Sequence, residues 1–446
     1  MKVEICAVGG FSEVGRNMTA VKVDNEVVIF DIGLYLPKII NYEEEEGSRQ
    51  GLSKETMIEI DAVPDITMID HWKGFVKAIV TTHCHLDHIG AMPYLAPEYD
   101  APIIGTPYTL EVLKTILKDE RIKIKNELKP LNINSKLRIS KNLTVEFINM
   151  THSTLQTVMI ALHTPAGVIL YCNDFKFDNH PIIGKKPNFA RLKELGDNKE
   201  VLVVVADALY SKKAMKTPSE KVAREMLKDV LLGVKNEDNA IIVTTFASHI
   251  ARLQSILDMG MKLRRKVVFL GRSLNKYITA AENLHLVNFT SKAEIFGYAS
   301  KVKKELKEIS KNKGNYLIVC TGNQGEPGSI LRRMSEGDLP FNFDNGDHVV
   351  FACKTIPAPV NLANRAVLEE KLIRKGCRLF KDIHVSGHAA KEDHRDLFEL
   401  VKPKHIIPSH GSLEQTSPMS ELATTMGYVL GKTVHLMRNG QILELD

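Results

Sequence analysis

The sequence predicts an α/β protein that carries its chemistry at the ends of strands. Three observations support this. Short runs rich in Val and Ile alternate with helical patterns and polar turns. Four early strands, residues 27–31, 78–82, 144–149 and 168–174, each lead into a reactive polar side chain at or just past the last residue. Loops at such ends are where sites are usually built. From Val201 the strands become continuous apolar runs: residues 201–207, 240–246, 266–271, 316–322 and 348–353, with helical patterns between most of them. That rhythm implies a mostly parallel sheet covered on both faces.

The element order suggests an inserted domain. Residues 1–207 form the first part of one domain, residues 208–375 a separate α/β domain, and residues 376–446 return to the strand-end pattern at His405–Pro408 and Ser409-His410-Gly411. The first helix of the insertion is expected to start at an N-cap Thr217, with Pro218 in its first turn and Glu220 completing a capping box. Val222, Met226, Val230 and Val234 would then line its apolar face.

Composition limits the class. The chain has 446 residues, enough for two or three domains, with 44% hydrophobic and 25% charged residues, as in an ordinary globular protein. No apolar run approaches the roughly 20 residues of a membrane span, so no membrane partner is expected. The start, Met1-Lys2-Val3-Glu4, has no leader pattern. Lys and Arg total 59 against 54 Asp and Glu, a balance of +5 that does not by itself establish a nucleic-acid partner. Basic clusters such as 264–266, 301–304 and 332–333 read as solvated faces, and the acidic run 43–46 as an exposed loop. Six scattered cysteines without a C-x-x-C argue against a disulfide framework and for a reducing cytoplasm.

The densest chemical signal is His83-Cys84-His85-Leu86-Asp87-His88, following a strand. In an extended stretch His83 and His85 point the same way and can share one divalent metal, while the turn lets Asp87 and His88 reach a second. Two metals need more donors. His152, Asp174 and His410 also follow strand-like runs, and Asp207 ends one.

Asp31, His83-x-His85-x-Asp87-His88, His152, Asp174 and His410, in this order, resemble the metallo-β-lactamase superfamily. The region between Asp174 and His410 resembles the β-CASP insertion of its nucleic-acid-processing branch, with Asp207, His388 in Ser386-Gly387-His388-Ala389, and His410 matching that branch's motifs. Gly9-Gly10, Glu13 to Met18, Thr217 to Glu220 and Gly322 to Pro327 are similar to the ribonuclease J family, its archaeal form in particular. The resemblance covers nearly the whole chain. Ser412 departs from the acidic residue usual there, and the chain stops 36 residues after His410, whereas bacterial members carry a further C-terminal domain.

The resemblance implies an αββα metallo-β-lactamase sandwich with an inserted β-CASP domain. It implies that His83, His85 and His152 hold one metal, that Asp87, His88 and His410 hold another, and that Asp174 bridges them. Asp31 would orient the His-rich loop. Zn²⁺ is expected, with Mn²⁺ or Mg²⁺ as substitutes. His388 would protonate the leaving oxygen or stabilise transition-state charge, oriented by Asp207. Three turns, at Ser248, at Gly322–Gly328 with Asn323, Gln324 and Gly325, and at His384–His388 with Ser386 and Gly387, are candidate phosphate binders. The implied activity is two-metal hydrolysis of single-stranded RNA from a 5′-monophosphate end, in a cleft between the domains, by a cytoplasmic homodimer. Its rivals are an endoribonuclease like the cleavage and polyadenylation specificity factors, a thioester hydrolase or lactonase, and an inactive RNA-binding scaffold. The large insertion speaks against the hydrolase, and the intact donor set against the scaffold.

Overall fold

The computed structural model describes residues 2–46, 51–236, 238–356 and 358–445. It forms two compact units: Met1–Asn179 with Gly184–Thr217 and Ser386–Asp446, and His180–Ile183 with Pro218–Val385.

The first unit contains two sheets. One runs in the order Ile442–Leu445, Val3–Gly9, Met18–Val23, Glu26–Phe30, Val76–Val80, Ile103–Gly105, Leu128–Pro130. The other runs His405–Ser409, Val201–Asp207, Gly167–Cys172, Val158–Thr164, Thr144–Asn149, Lys136–Arg138. Alternate residues of both, among them Ile5, Val28 and Val80 from the first and Phe147, Ile160 and Val203 from the second, merge into one buried core. Phe30 stacks on Tyr171 across it, ring centroids 4.9 Å apart. The outer face of the second sheet packs on helices Phe189–Asp197, Lys391–Val401 and Leu413–Thr425 through Leu192, Leu397, Phe398 and Met419. Helix Pro107–Glu120 packs on the first sheet at Ile103–Gly105 and Leu128–Pro130. The layers are therefore αββα, as expected.

Strand direction positions the site. Strands Gly167–Cys172, Val201–Asp207 and His405–Ser409 are mutually parallel, with Asp207 opposite Ser409. In the other sheet Glu26–Phe30 and Val76–Val80 are parallel, with Phe30 opposite Val80. Their carboxyl ends release Asp31, the His83 loop, Asp174, Asp207 and His410. Asp31, Asp174 and His410 all turn out of their strands in the left-handed region, at φ +56°, +53° and +56°. Non-glycine residues are uncommon there, and such positions cluster at functional sites.

The second unit is one six-stranded sheet ordered Ala293–Phe296, Lys266–Leu270, Tyr316–Cys320, Ile241–Thr244, His348–Phe351, Arg378–Phe380, with every neighbouring pair parallel. The middle strands are buried on both faces, which explains their unbroken apolar sequences. The Arg252 guanidinium is fully buried in this unit, paired with Glu220 and donating to the carbonyls of Ala352 and Ile383.

Three expectations about local structure are corrected. The helix after the insertion point is Glu220–Gly233, and its N-cap is Ser219, whose hydroxyl accepts from Lys221 N–H; Thr217 instead donates to the carbonyl of His388. Its buried stripe is Ala223, Leu227 and Leu231, with Val222 46% exposed. Two apolar ladders one residue apart fit the same period, and the one carrying two leucines faces inward. The acidic run expected as a loop lies at the end of helix Leu36–Glu46.

Candidate metal centre

Three donor groups converge in the first unit. His83, His85, His152 and Asp174 offer ligand atoms within 4.8 Å of one another; so do Asp87, His88, Asp174 and His410; so do Asp174, Asp207, His388 and His410. Asp174 belongs to all three. One of its oxygens, Oδ2, lies 3.5 Å from His83 Nε2, 3.5 Å from His152 Nε2 and 3.3 Å from His88 Nε2. The other, Oδ1, lies 3.6 Å from His410 Nε2. The extended backbone at His83-Cys84-His85 alternates, so Cys84 turns away to Thr154 Oγ1, at 3.0 Å, while His83 and His85 face the site.

The far side of four of these rings is held. His88 Nδ1 lies 2.9 Å from Asp31 Oδ2, His152 Nδ1 2.7 Å from the Gly387 carbonyl, and His410 Nδ1 2.8 Å from Asn17 Oδ1. His83 Nδ1 lies 3.0 Å from Thr82 Oγ1, which itself donates to Asp31. Each partner accepts a proton from Nδ1, so the inward-facing Nε2 carries the lone pair, the tautomer that a metal-ligating histidine needs. Asn17 belongs to this shell of partners, yet in the sequence it stands only within the Glu13 to Met18 motif. The spacing between residues 17 and 410 contains no local signal that would have paired them.

The centre suits a cation. Lone-pair nitrogens crowd together, His83 Nε2 at 3.0 Å and His152 Nε2 at 3.2 Å from His85 Nδ1. Asp174 Oδ1 is buried without a hydrogen-bond partner. Such an arrangement is repulsive unless a proton or a cation lies among the donors. Burial, helped by the neighbouring histidines, drives His83 and His152 well below the usual imidazole value and His85 down to about 4. Burial opposes charge on His88 too, but Asp174 and Asp87 outweigh it and raise that imidazole. Likewise His410 and His88 outweigh burial at Asp174 and hold its carboxyl well below the ordinary range.

His388 stands beside the centre. Its Nδ1 lies 2.8 Å from Asp207 Oδ2, and 3.9 Å from Asp174 Oδ1. Burial acts to lower its pKa, but Asp207 and Asp174 prevail and lift it to about 9. The rings of Tyr210 and His410 run nearly parallel to it, at 6.0 and 5.8 Å. The following helix starts at Lys391, beyond His388 rather than at it. Ser386 Oγ accepts from the His388 backbone N–H at 3.0 Å, and a Cβ on Gly387 would collide with Ser153 Oγ and come within 2.9 Å of the His152 ring.

The remaining candidates lie in the second unit. Ser248 precedes the helix Ile250–Lys262, and Gly325 donates to the Gly322 carbonyl at 3.1 Å. Gln324 is occupied within its unit: its amide donates to the Lys354 carbonyl at 3.2 Å and accepts from Ile356 N–H at 2.8 Å. Asn323 is buried. Burial and the charge of Arg252 push the His384 imidazole down to about 2.

Comparison with known proteins settles the family. The Metallo-beta-lactamase superfamily model matches residues 75–229, the Ribonuclease J beta-CASP domain model residues 238–369, and the Zn-dependent metallo-hydrolase RNA specificity domain model residues 373–437. A Ribonuclease J of Methanocaldococcus jannaschii is 46% identical, over 100% of this chain and 99% of its own. The chain belongs to the ribonuclease J family. Another Ribonuclease J, from Pyrococcus abyssi, is 43% identical over 99% of this chain and 97% of its own. A crystal structure of a protein of unknown function from Enterococcus faecalis shares the fold over the full length of both chains, with TM-score 0.67 at 16% identity.

Proposed function

We propose that this protein degrades single-stranded RNA from its 5′ end, with preference for a 5′-monophosphate, at a centre of two divalent ions. The coarse activity is that of the family: the chain is a metal-dependent ribonuclease, a phosphodiester hydrolase. In the finer reading His83, His85 and His152 hold one ion, Asp87, His88 and His410 the other, and Asp174 serves both. The imidazole-rich donor set favours zinc, with manganese or magnesium as substitutes. Such a pair of ions supplies a nucleophile near neutral pH and neutralises charge on the phosphoryl oxygens.

The observation that carries the reading is the His388–Asp207 pair at 2.8 Å, next to Asp174. Asp207 accepts a hydrogen bond from Nδ1–H, which leaves Nε2 for the substrate. Backed by the Asp207 carboxylate, which favours its charged form, His388 can donate a proton to the leaving oxygen and stabilise charge on the phosphate. The Ser386-Gly387 turn, tied to His388 through Ser386 Oγ and to His152 through the Gly387 carbonyl, is the candidate seat of the 5′-phosphate.

Among the described residues no helix is long and apolar enough to cross a membrane. All six cysteines are buried and free, which suits a reducing cytoplasm. A homodimer completes the proposal, and light scattering tests it. The activity is tested by a time course on labelled RNA bearing 5′-monophosphate, 5′-triphosphate or 5′-hydroxyl ends. Early release of mononucleotide, fastest from the monophosphate, is expected. Discrete internal fragments would support the endoribonuclease alternative instead.

A further inference from the structure

We infer that Asn17 is a positioning residue for the metal centre, dedicated to the donor group of Asp87, His88 and His410. The inference rests on the metal-centre reading above and assigns a role to a residue outside the donor set.

Asn17 is 1% exposed, and its amide is used at both ends. Its Oδ1 accepts from His410 Nδ1–H at 2.8 Å. Its Nδ2 donates to the Asp87 backbone carbonyl at 3.0 Å and lies 3.2 Å from His88 Nε2. The orientation of the amide follows from chemistry: the Asp87 carbonyl can only accept, so Nδ2 must face it and Oδ1 must face the histidine. One planar side chain therefore touches three residues of one donor group. Among the described residues the Asn17 side chain bonds Asp87, His88 and His410 rather than His83, His85 or His152.

The backbone is arranged to hold this amide still. Asn17 N–H donates to the Asp87 carbonyl at 3.0 Å, and the Asn17 carbonyl accepts from Gly33 N–H at 3.0 Å. Gly10 has φ +85°, and a Cβ there would sit 2.5 Å from Asn17 Oδ1. The Gly10 carbonyl in turn accepts from Gly411 N–H at 3.2 Å. The Gly9-Gly10 and Arg16-Asn17 motifs thus meet around the residue that presents His410.

His410 differs from His88 in the kind of partner. His88 is backed by the Asp31 carboxylate, whereas His410 is backed by a neutral amide. A neutral acceptor fixes the tautomer and ring angle without adding charge. Loss of such a partner typically weakens metal affinity by about 10–100-fold.

The test compares wild type with Asn17→Ala and Asn17→Asp. Bound ions are counted by metal analysis during titration with a zinc-buffering chelator, the absorption spectrum of the cobalt-substituted protein is recorded, and thermal unfolding is followed in excess chelator. Asn17→Ala is expected to release one of two ions at a free-metal level about 10–100-fold above that of wild type, to retain the other, and to change the cobalt spectrum. Asn17→Asp keeps an acceptor for His410 and should restore part of that affinity. Metal-free unfolding temperatures should fall only by the modest amount that lost buried hydrogen bonds cost. Equal affinities for both ions in wild type and Asn17→Ala overturn the inference alone. Weakening of both ions alike, or a matching fall in metal-free stability, makes Asn17 merely structural and also overturns it. A wild type that binds no ion overturns the metal-centre reading and this inference with it.

Discussion

The Nδ1 nitrogen of His388 lies 2.8 Å from the Asp207 carboxylate, although 181 residues separate the two in sequence. Asp207 ends the strand Val201–Asp207 and His388 precedes the helix Lys391–Val401, both in the first unit. Charge stabilisation and proton donation can thus be tested apart from metal binding. His388→Ala is expected to lower the single-turnover rate by about 10²–10⁴, or roughly 3–5 kcal/mol of transition-state stabilisation, with metal content unchanged. Loss of an ion in this variant would instead make His388 a ligand, as its place in the third donor group allows.

His85→Ala should abolish cleavage and lower the ion count while circular dichroism stays that of wild type. His85 is one of several donors in a site the two sheets already support. Excess chelator should have the same effect on wild-type activity, and readdition of zinc should reverse it. Full activity in chelator would rule out the metal-centre reading.

Gly387→Ala forces a methyl group toward Ser153 Oγ and the His152 ring. His152 must then move off the Gly387 carbonyl that fixes its tautomer. Weaker metal binding and at least a tenfold loss of rate are expected from a single added carbon, whereas Ser386→Ala should leave metal affinity intact and reduce the preference for a 5′-monophosphate. Metal titrations of both variants, with rates on monophosphate and hydroxyl RNA, check this.

Glu146 supplies a pH-dependent contribution away from the site. It accepts from Arg191 at 2.8 and 3.0 Å and lies 2.7 Å from His163 Nε2. Burial acts to raise its carboxyl, but His163 and Arg191 prevail and hold it at about 2. A carboxyl depressed on folding stabilises above its unfolded value, and that stabilisation is lost as pH falls from about 4.5 toward 2. Glu146→Gln should cost about 2 kcal/mol at pH 6 and progressively less toward pH 3. Urea unfolding of both proteins in chelator, which removes the metal contribution, measures it.

The sequence disclosed what local periodicity and residue chemistry can carry. The unbroken apolar strands of the second unit announced a parallel sheet because both faces are buried. The His83–His88 run pointed to a candidate metal site because alternation places His83 and His85 on one side. The contacts of Asn17, Thr82 and Gly387 with the donors were illegible, because each joins residues brought together by sheet pairing and none lies in a local pattern. The N-cap at Ser219 was missed because Thr217 and Ser219 both suit the position. Tertiary contact decides between them: Asp393 accepts from Thr217 N–H at 2.8 Å and Thr217 Oγ1 donates to His388 at 2.7 Å.

Those two bonds at Thr217 have a consequence for how the second unit is carried. Thr217 is the last residue before the long segment Pro218–Val385 of that unit, and Ser386 is the first after it. Asp393 also accepts from Ala390 N–H at 3.1 Å, and the Lys213 carbonyl accepts from Lys391 N–H at 3.0 Å. The points of departure and return are thus pinned to each other by the first unit itself. Topologically the whole insertion is a loop with its ends already closed, so little further ordering is needed to accommodate it.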